Sequence, residues 1–175
     1  GTTTAGASEV TCTATVSRNG DLVGKMYVTS STDDITDGDE IVSQVDVEIG
    51  GQRIDRHYKE WLQVWAELTT PDSKALAYKN MTGALSHGLN KTNTAGVNMV
   101  QIPLQFWFNR NPGLALPLIA LQYHEVKVTL QFEDELKLTC HSAANGGGTS
   151  NTSGLEFKLY ADYIYLDTDE RRRFA

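Results

Sequence analysis

Residues 102–132 read IPLQFWFNRNPGLALPLIALQYHEVKVTLQF, and this stretch decides the fold. Ile102, Leu104, Phe106 and Phe108 alternate with Pro103, Gln105, Trp107 and Asn109, the period of a strand buried on one face. Val126, Val128, Leu130 and Phe132 alternate in the same way with Lys127, Thr129, Gln131 and Glu133. Between the two predicted strands, Asn111-Pro112-Gly113 reverses the chain. Leu114 to Leu121 is then almost wholly apolar, and Pro117 forbids one uninterrupted helix through it. So apolar a connection needs cover, either at the end of its own sandwich or on a neighbouring subunit.

Working outward, Val10 to Ser17 and Leu22 to Thr29 read as strands, with Asn19-Gly20 between them as a hairpin signal. Ser30 to Glu40 is a polar, acidic surface loop. Ile41 to Ile49 alternates well, Gly50-Gly51 is a tight turn, and Gln52 to Asp55 begins a short return strand. The period then changes. Tyr58, Trp61, Leu62, Trp65 and Leu68 recur at three and four residues, which predicts an amphipathic helix with Asp55 at its cap. Thr70-Pro71 starts a weaker second helix that ends near Gly88, with Ala77, Met81, Ala84 and Leu85 on one side. Beyond the corner, Leu136 to Cys140 is a short strand and residues 142–154 form a low-complexity polar loop. Leu155 to Leu166 is the last strand; its second face is also apolar through Tyr160, Ile164 and Leu166, which places it centrally or under a partner. The expected fold is all-β: eight antiparallel strands in two packed sheets, with a short helical insertion. Eight is the jelly-roll number, although alternation alone does not separate a jelly roll from other sandwiches.

A chain of 175 residues suffices for one domain burying roughly 70% of its unfolded surface. The net charge of −7 argues against direct binding to nucleic acid, which calls for clustered Lys and Arg. Arg171-Arg172-Arg173, the sole basic run, follows Asp167, Asp169 and Glu170 and reads as a neutralised, solvated segment. No apolar run reaches the ~20 residues of a membrane span. The first ten residues lack a basic and an apolar region, so they do not read as a signal peptide but as a processed start. Cys12 and Cys140 read as buried free thiols.

Catalytic and ligand motifs are missing. His57, His87, His124 and His141 make no HxH or HExxH pair, and no cofactor or metal site is expected. His124, at a strand entrance, reads as a hydrogen-bonded structural residue. No GxSxG, Walker A or GxGxxG is present. The acidic residues of 33–40 do not match a calcium loop. Sequons at Asn80, Asn90 and Asn151 read as chance occurrences. What remains is surplus aromatic material, including Trp61, Trp65, Trp107, Tyr160, Tyr163 and Tyr165, part of which suits contacts between subunits.

The corner sequence IPLQFWFNRNPGLALPLIALQYHEVKV resembles, nearly word for word, the signature of the major capsid proteins of nucleocytoplasmic large DNA viruses. Iridoviruses, algal viruses and mimivirus-like giants carry this family. SRNGDLV at 17–23 resembles its early hairpin, VDVEIGGQRIDRHYKEWLQVWAELT at 45–69 its next block, and YADYIYLDTDERRRFA at 160–175 the close of its first domain. The resemblance implies a structural, non-enzymatic protein of the virion shell, assembled in the host cytoplasm. It further implies a double jelly roll that trimerises into pseudo-hexagonal capsomers. The partners would be other copies of the chain and other capsid proteins, with no direct nucleic-acid contact and no membrane insertion. Residues 1–175 correspond to the first of the two jelly rolls, so a trimer would supply three barrels in place of six. Subunit contacts are expected at Asn109, Arg110, Asn111, Pro112, Leu114 and Leu116 of the corner and at Trp61 and Trp65 of the helix. The alternative from another class is a carbohydrate-binding jelly-roll module that uses Trp107 on a sheet face; a cupin-like metalloenzyme fails for want of the HxH pair.

Overall fold

The computed structural model describes residues 10–31, 41–83, 99–133 and 157–174. Leu136 to Cys140, residues 32–40 of the acidic loop, residues 84–88 of the second predicted helix, the low-complexity loop and His141 lie outside them, while Ser30 and Ser31, expected in the acidic loop, end a strand. Among the described residues the chain forms mostly antiparallel strands with a few helices. The strands are β1 (Val10–Thr15), β2 (Leu22–Ser31), β3 (Val42–Ile49), β4 (Gln52–Tyr58), β5 (Met99–Pro103), β6 (Leu116–Pro117), β7 (Val126–Phe132) and β8 (Phe157–Ile164). The helices are α1 (Lys59–Thr69), α2 (Asp72–Thr82), the single turn α3 (Trp107–Arg110) and α4 (Thr168–Phe174).

One sheet has the order β1-β7-β3-β4. In the other, β2 pairs with β5, β6 and β8, all antiparallel. The alternation along β7 is realised without exception, with Val126, Val128, Leu130 and Phe132 buried. They face Val23, Met26 and Val28 of β2 across a shared core that also takes in Val45, Val47, Val100 and Ile102. Phe132 stacks on Phe157 of β8 at 4.1 Å between centroids, an aromatic tie between the sheets. Burying each such side chain contributes roughly 1.5–3 kcal/mol.

β1 and β2 are not a hairpin. β1 pairs with β7 and β2 with the opposite sheet, so Asn19-Gly20 carries the chain between layers. Two side chains fix this crossing. Arg18 donates to the carbonyls of Leu121, Gln122 and His124. The Asp21 carboxylate accepts from the Leu166 amide at 2.7 Å and from Arg171 Nε at 3.0 Å, drawing α4 onto the turn. Those bonds hold its carboxyl below the usual range, the Leu166 amide foremost. By contrast β3 and β4 do form a tight hairpin, where Gly50 and Gly51 take φ of 60° and 82°, a region costly for other residues.

The strand expected over 102–109 stops at Pro103, which has no amide to continue the ladder. Leu104 N still donates to Met26 O at 2.9 Å; the chain then tightens into α3. Asn109 causes the turn: its Oδ1 accepts from Phe106 N at 3.1 Å and its Nδ2 donates to Gly24 O at 2.7 Å. The alternating residues Ile102, Leu104, Phe106 and Phe108 are nonetheless all buried. The apolar connection after them becomes a 3-10 turn (Pro112–Leu114), the short β6 and further turns. Leu116 and Leu118 enter this chain's own core while Leu114 stays exposed, so the connection plugs its own sandwich.

Other boundaries also differ from expectation. β4 runs on to Tyr58, so Asp55 is a strand residue and caps nothing. Pro71 occupies the cap position of α2 and Thr70 closes α1. α2 ends at Thr82 because Gly83 turns left-handed at φ 86°. β8 pairs with β2 alone among the described strands, and Lys158, Tyr160 and Asp162 are exposed. Cys12 is only half-buried.

Candidate functional site

The residues expected to meet other subunits fall into two groups. Asn109 and Leu116 are internal: Asn109 is spent on Gly24 and Phe106, and Leu116 is packed in the core. Both are removed from the candidate surface. Trp61, Trp65 and Arg110 converge, although 45 residues separate Trp65 from Arg110 in the sequence. β4 and α1 set the two tryptophans one turn apart, with ring centroids at 5.5 Å. α3 projects Arg110 over them, its guanidinium carbon 4.3 Å from the Trp65 centroid and 5.6 Å from that of Trp61. Arg110 Nε also donates to Gln105 O at 3.1 Å, which aims the side chain. Beside this cluster, Asn111, Pro112 and Leu114 form an exposed knuckle, closed by Asn111 Oδ1 accepting from Gly113 N at 2.9 Å.

α1 carries apolar residues on two sides. Leu62 alone is buried; Trp61, Val64 and Leu68 are exposed, Leu68 by 76%. Tyr58 before the helix and Leu76 on α2 extend the exposed apolar surface. The spacing 61, 64, 65, 68 is a helical stripe in its own right, so its existence was visible in the sequence; its outward direction was not. Lys59, at the start of α1, pairs with Glu133 at the end of β7 at 2.9 Å and pins the helix to the sheet.

Sequence reasoning missed the polar seam behind this surface. Arg56 of β4 grips Asp46 of β3 with two bonds, Nε to Oδ1 at 2.5 Å and Nη2 to Oδ2 at 2.6 Å. His57, the next residue, is buried against Phe106 at 4.5 Å between ring centroids. His124, by contrast, is exposed, and its amide donates to Leu121 O. Trp107 is half-buried, edge-on to Phe108 at 5.0 Å and packed against the core. Among the described residues no group of three His, Cys, Asp or Glu is placed to hold a metal ion. No described helix is long and apolar enough to cross a membrane. An aromatic and guanidinium surface of this kind suits protein recognition, where Trp, Tyr and Arg concentrate binding energy.

The family model described as "Major capsid protein N-terminus" matches residues 2–167. The chain is 48% identical to the major capsid protein of Pyramimonas orientalis virus over 179 aligned positions, covering 95% of this chain and 42% of that protein. It is 36% identical to the major capsid protein of Paramecium bursaria Chlorella virus 1, covering 91% of this chain and 37% of that one. Among solved structures, a quasi-atomic model of the PBCV-1 virus capsid superposes with a TM-score of 0.78 at 32% identity. That match covers 97% of this chain and 42% of the other. The chain thus spans about two fifths of the length of these relatives.

Proposed function

The chain belongs to the major capsid protein family of large DNA viruses, matching its N-terminal region, and from that premise we propose that it is a structural subunit of a virion shell. The observation that carries this reading is the family match over residues 2–167, joined to the superposition on a capsid subunit at a TM-score of 0.78. The fold is an eight-stranded jelly roll forming one domain, the first of two in the complete subunit; two sheets packed over one core support it. The protein works without catalysis, by symmetric self-association into trimeric capsomers that tile an icosahedral shell together with other capsid proteins. The contact surface is the Trp61–Trp65–Arg110 cluster with the Asn111, Pro112 and Leu114 knuckle. Its exposure on a rigid scaffold and its composition support that role.

Sedimentation velocity and native mass measurement across a concentration series test the proposal. Trimers or larger assemblies are expected. A species that remains monomeric at high concentration overturns autonomous assembly of this domain.

A further inference from the structure

His57 lies in the seam between β4 and the 104–110 corner, only 6% exposed, and neither ring nitrogen has a hydrogen-bond partner. Such buried, unpartnered polar atoms are rare and costly. A neutral imidazole leaves one donor and one acceptor unpaired; an imidazolium would leave two donors and a full charge in an apolar pocket. The facing groups offer little relief. Asp46 on β3 is already bonded twice by Arg56, and Asp55 on β4 accepts from the Arg56 amide. Arg110 on α3 adds a repelling positive charge.

We propose that His57 is an acid-sensitive latch: neutral, its ring walls the pocket that holds Phe106; protonated, it drives the 104–110 corner away from β4 and admits water. Burial is the largest influence on the group, followed by attraction from Asp55, repulsion from Arg110 and attraction from Asp46. Together they lower its pKa from 6.5 to about 4. Above pH 6.5 the ring is neutral in the closed and opened states alike, and the latch has no pH dependence. As pH falls from 6.5 toward 4, the opened state takes up a proton first and closure weakens. Below about 4 both states are protonated and the loss is complete, on the order of a hundredfold in the closing equilibrium. Because Arg110 is carried by the same corner, opening also separates it from Trp61 and Trp65.

The test uses the 175-residue chain. Imidazole carbon-bound proton signals are followed by NMR from pH 7.5 to 3.5, with His57→Phe for assignment and His124→Gln as the exposed comparison. The His57 signal should titrate clearly below 6.5 and above the closed-state value of about 4, accompanied by a change in tryptophan emission. In urea unfolding, the wild-type chain should lose stability between pH 6.5 and 4.5. His57→Phe, which keeps a ring against Phe106 and cannot be protonated, should lose that slope. A His57 signal titrating near 6.5 overturns the proposal, as does an unchanged slope in His57→Phe. Should that variant fail to fold, the wild-type titration, assigned through its contacts with Phe106, decides alone.

Discussion

The corner at residues 104–118 and helix α1 are both rich in large apolar side chains, and the chain uses them in opposite ways. Phe106, Phe108, Leu116 and Leu118 turn inward and close the end of the sandwich. On α1 only Leu62 does so, while Trp61, Val64 and Leu68 are left outside. The difference follows from what flanks each segment. The corner is anchored across the fold by Asn109 on Gly24 and by Leu104 on Met26. α1 is held at its start by Lys59 and Glu133, and its remaining turns lie over the surface. Apolar patterning thus says that a face wants cover; long-range polar bonds decide whether the chain supplies that cover itself.

Substitutions can break this contrast, beginning with the largest effect. Phe106→Ala empties the centre of the corner and should lower unfolding free energy by about 3–5 kcal/mol in urea titration. If the loss is small, the corner is not part of the core. Asn109→Ala leaves the Gly24 carbonyl and the Phe106 amide without their partner, at a cost of about 1–3 kcal/mol. Hydrogen exchange at Phe106 should accelerate in parallel. Arg110→Met removes the cation over Trp65 and should cost about 0.5–1 kcal/mol, with a shift in tryptophan emission. Leu68→Ser should change stability by no more than about 0.5 kcal/mol. Its effect should appear in sedimentation, as weaker association. Association that is unaffected would show that the contact surface does not extend from the Trp61–Trp65–Arg110 cluster along α1 to Leu68.

Much of this was legible in the residues. The period-two pattern located β3 and β7, and the change of period placed α1 to within a residue. The pattern at 102–108 identified the buried residues correctly, but their conformation only as far as Pro103. Over four residues, a buried strand and a helical turn can bury the same positions, and the side-chain bond that chooses between them reaches 85 residues back to Gly24. Asn19-Gly20 misled for a related reason. A turn residue fixes a change of direction, not the sheet that the next strand joins. On the candidate surface, Trp61, Trp65 and Arg110 were legible as residue types but not as one cluster, because α3 had to form before Arg110 could cross over the rings. His57 gave no sequence signal at all, since its character comes from the neighbours that bury it.

The Asp21 bonds have a mechanical consequence. Tension applied to α4 passes first through Arg171 and Leu166 to one carboxylate at the crossing between the layers. A pull on that helix therefore loads the turn that joins both sheets, instead of peeling β8 from β2 one rung at a time. Acid would soften this load path below the ordinary carboxylate range, because the carboxyl must be protonated before its grip is lost.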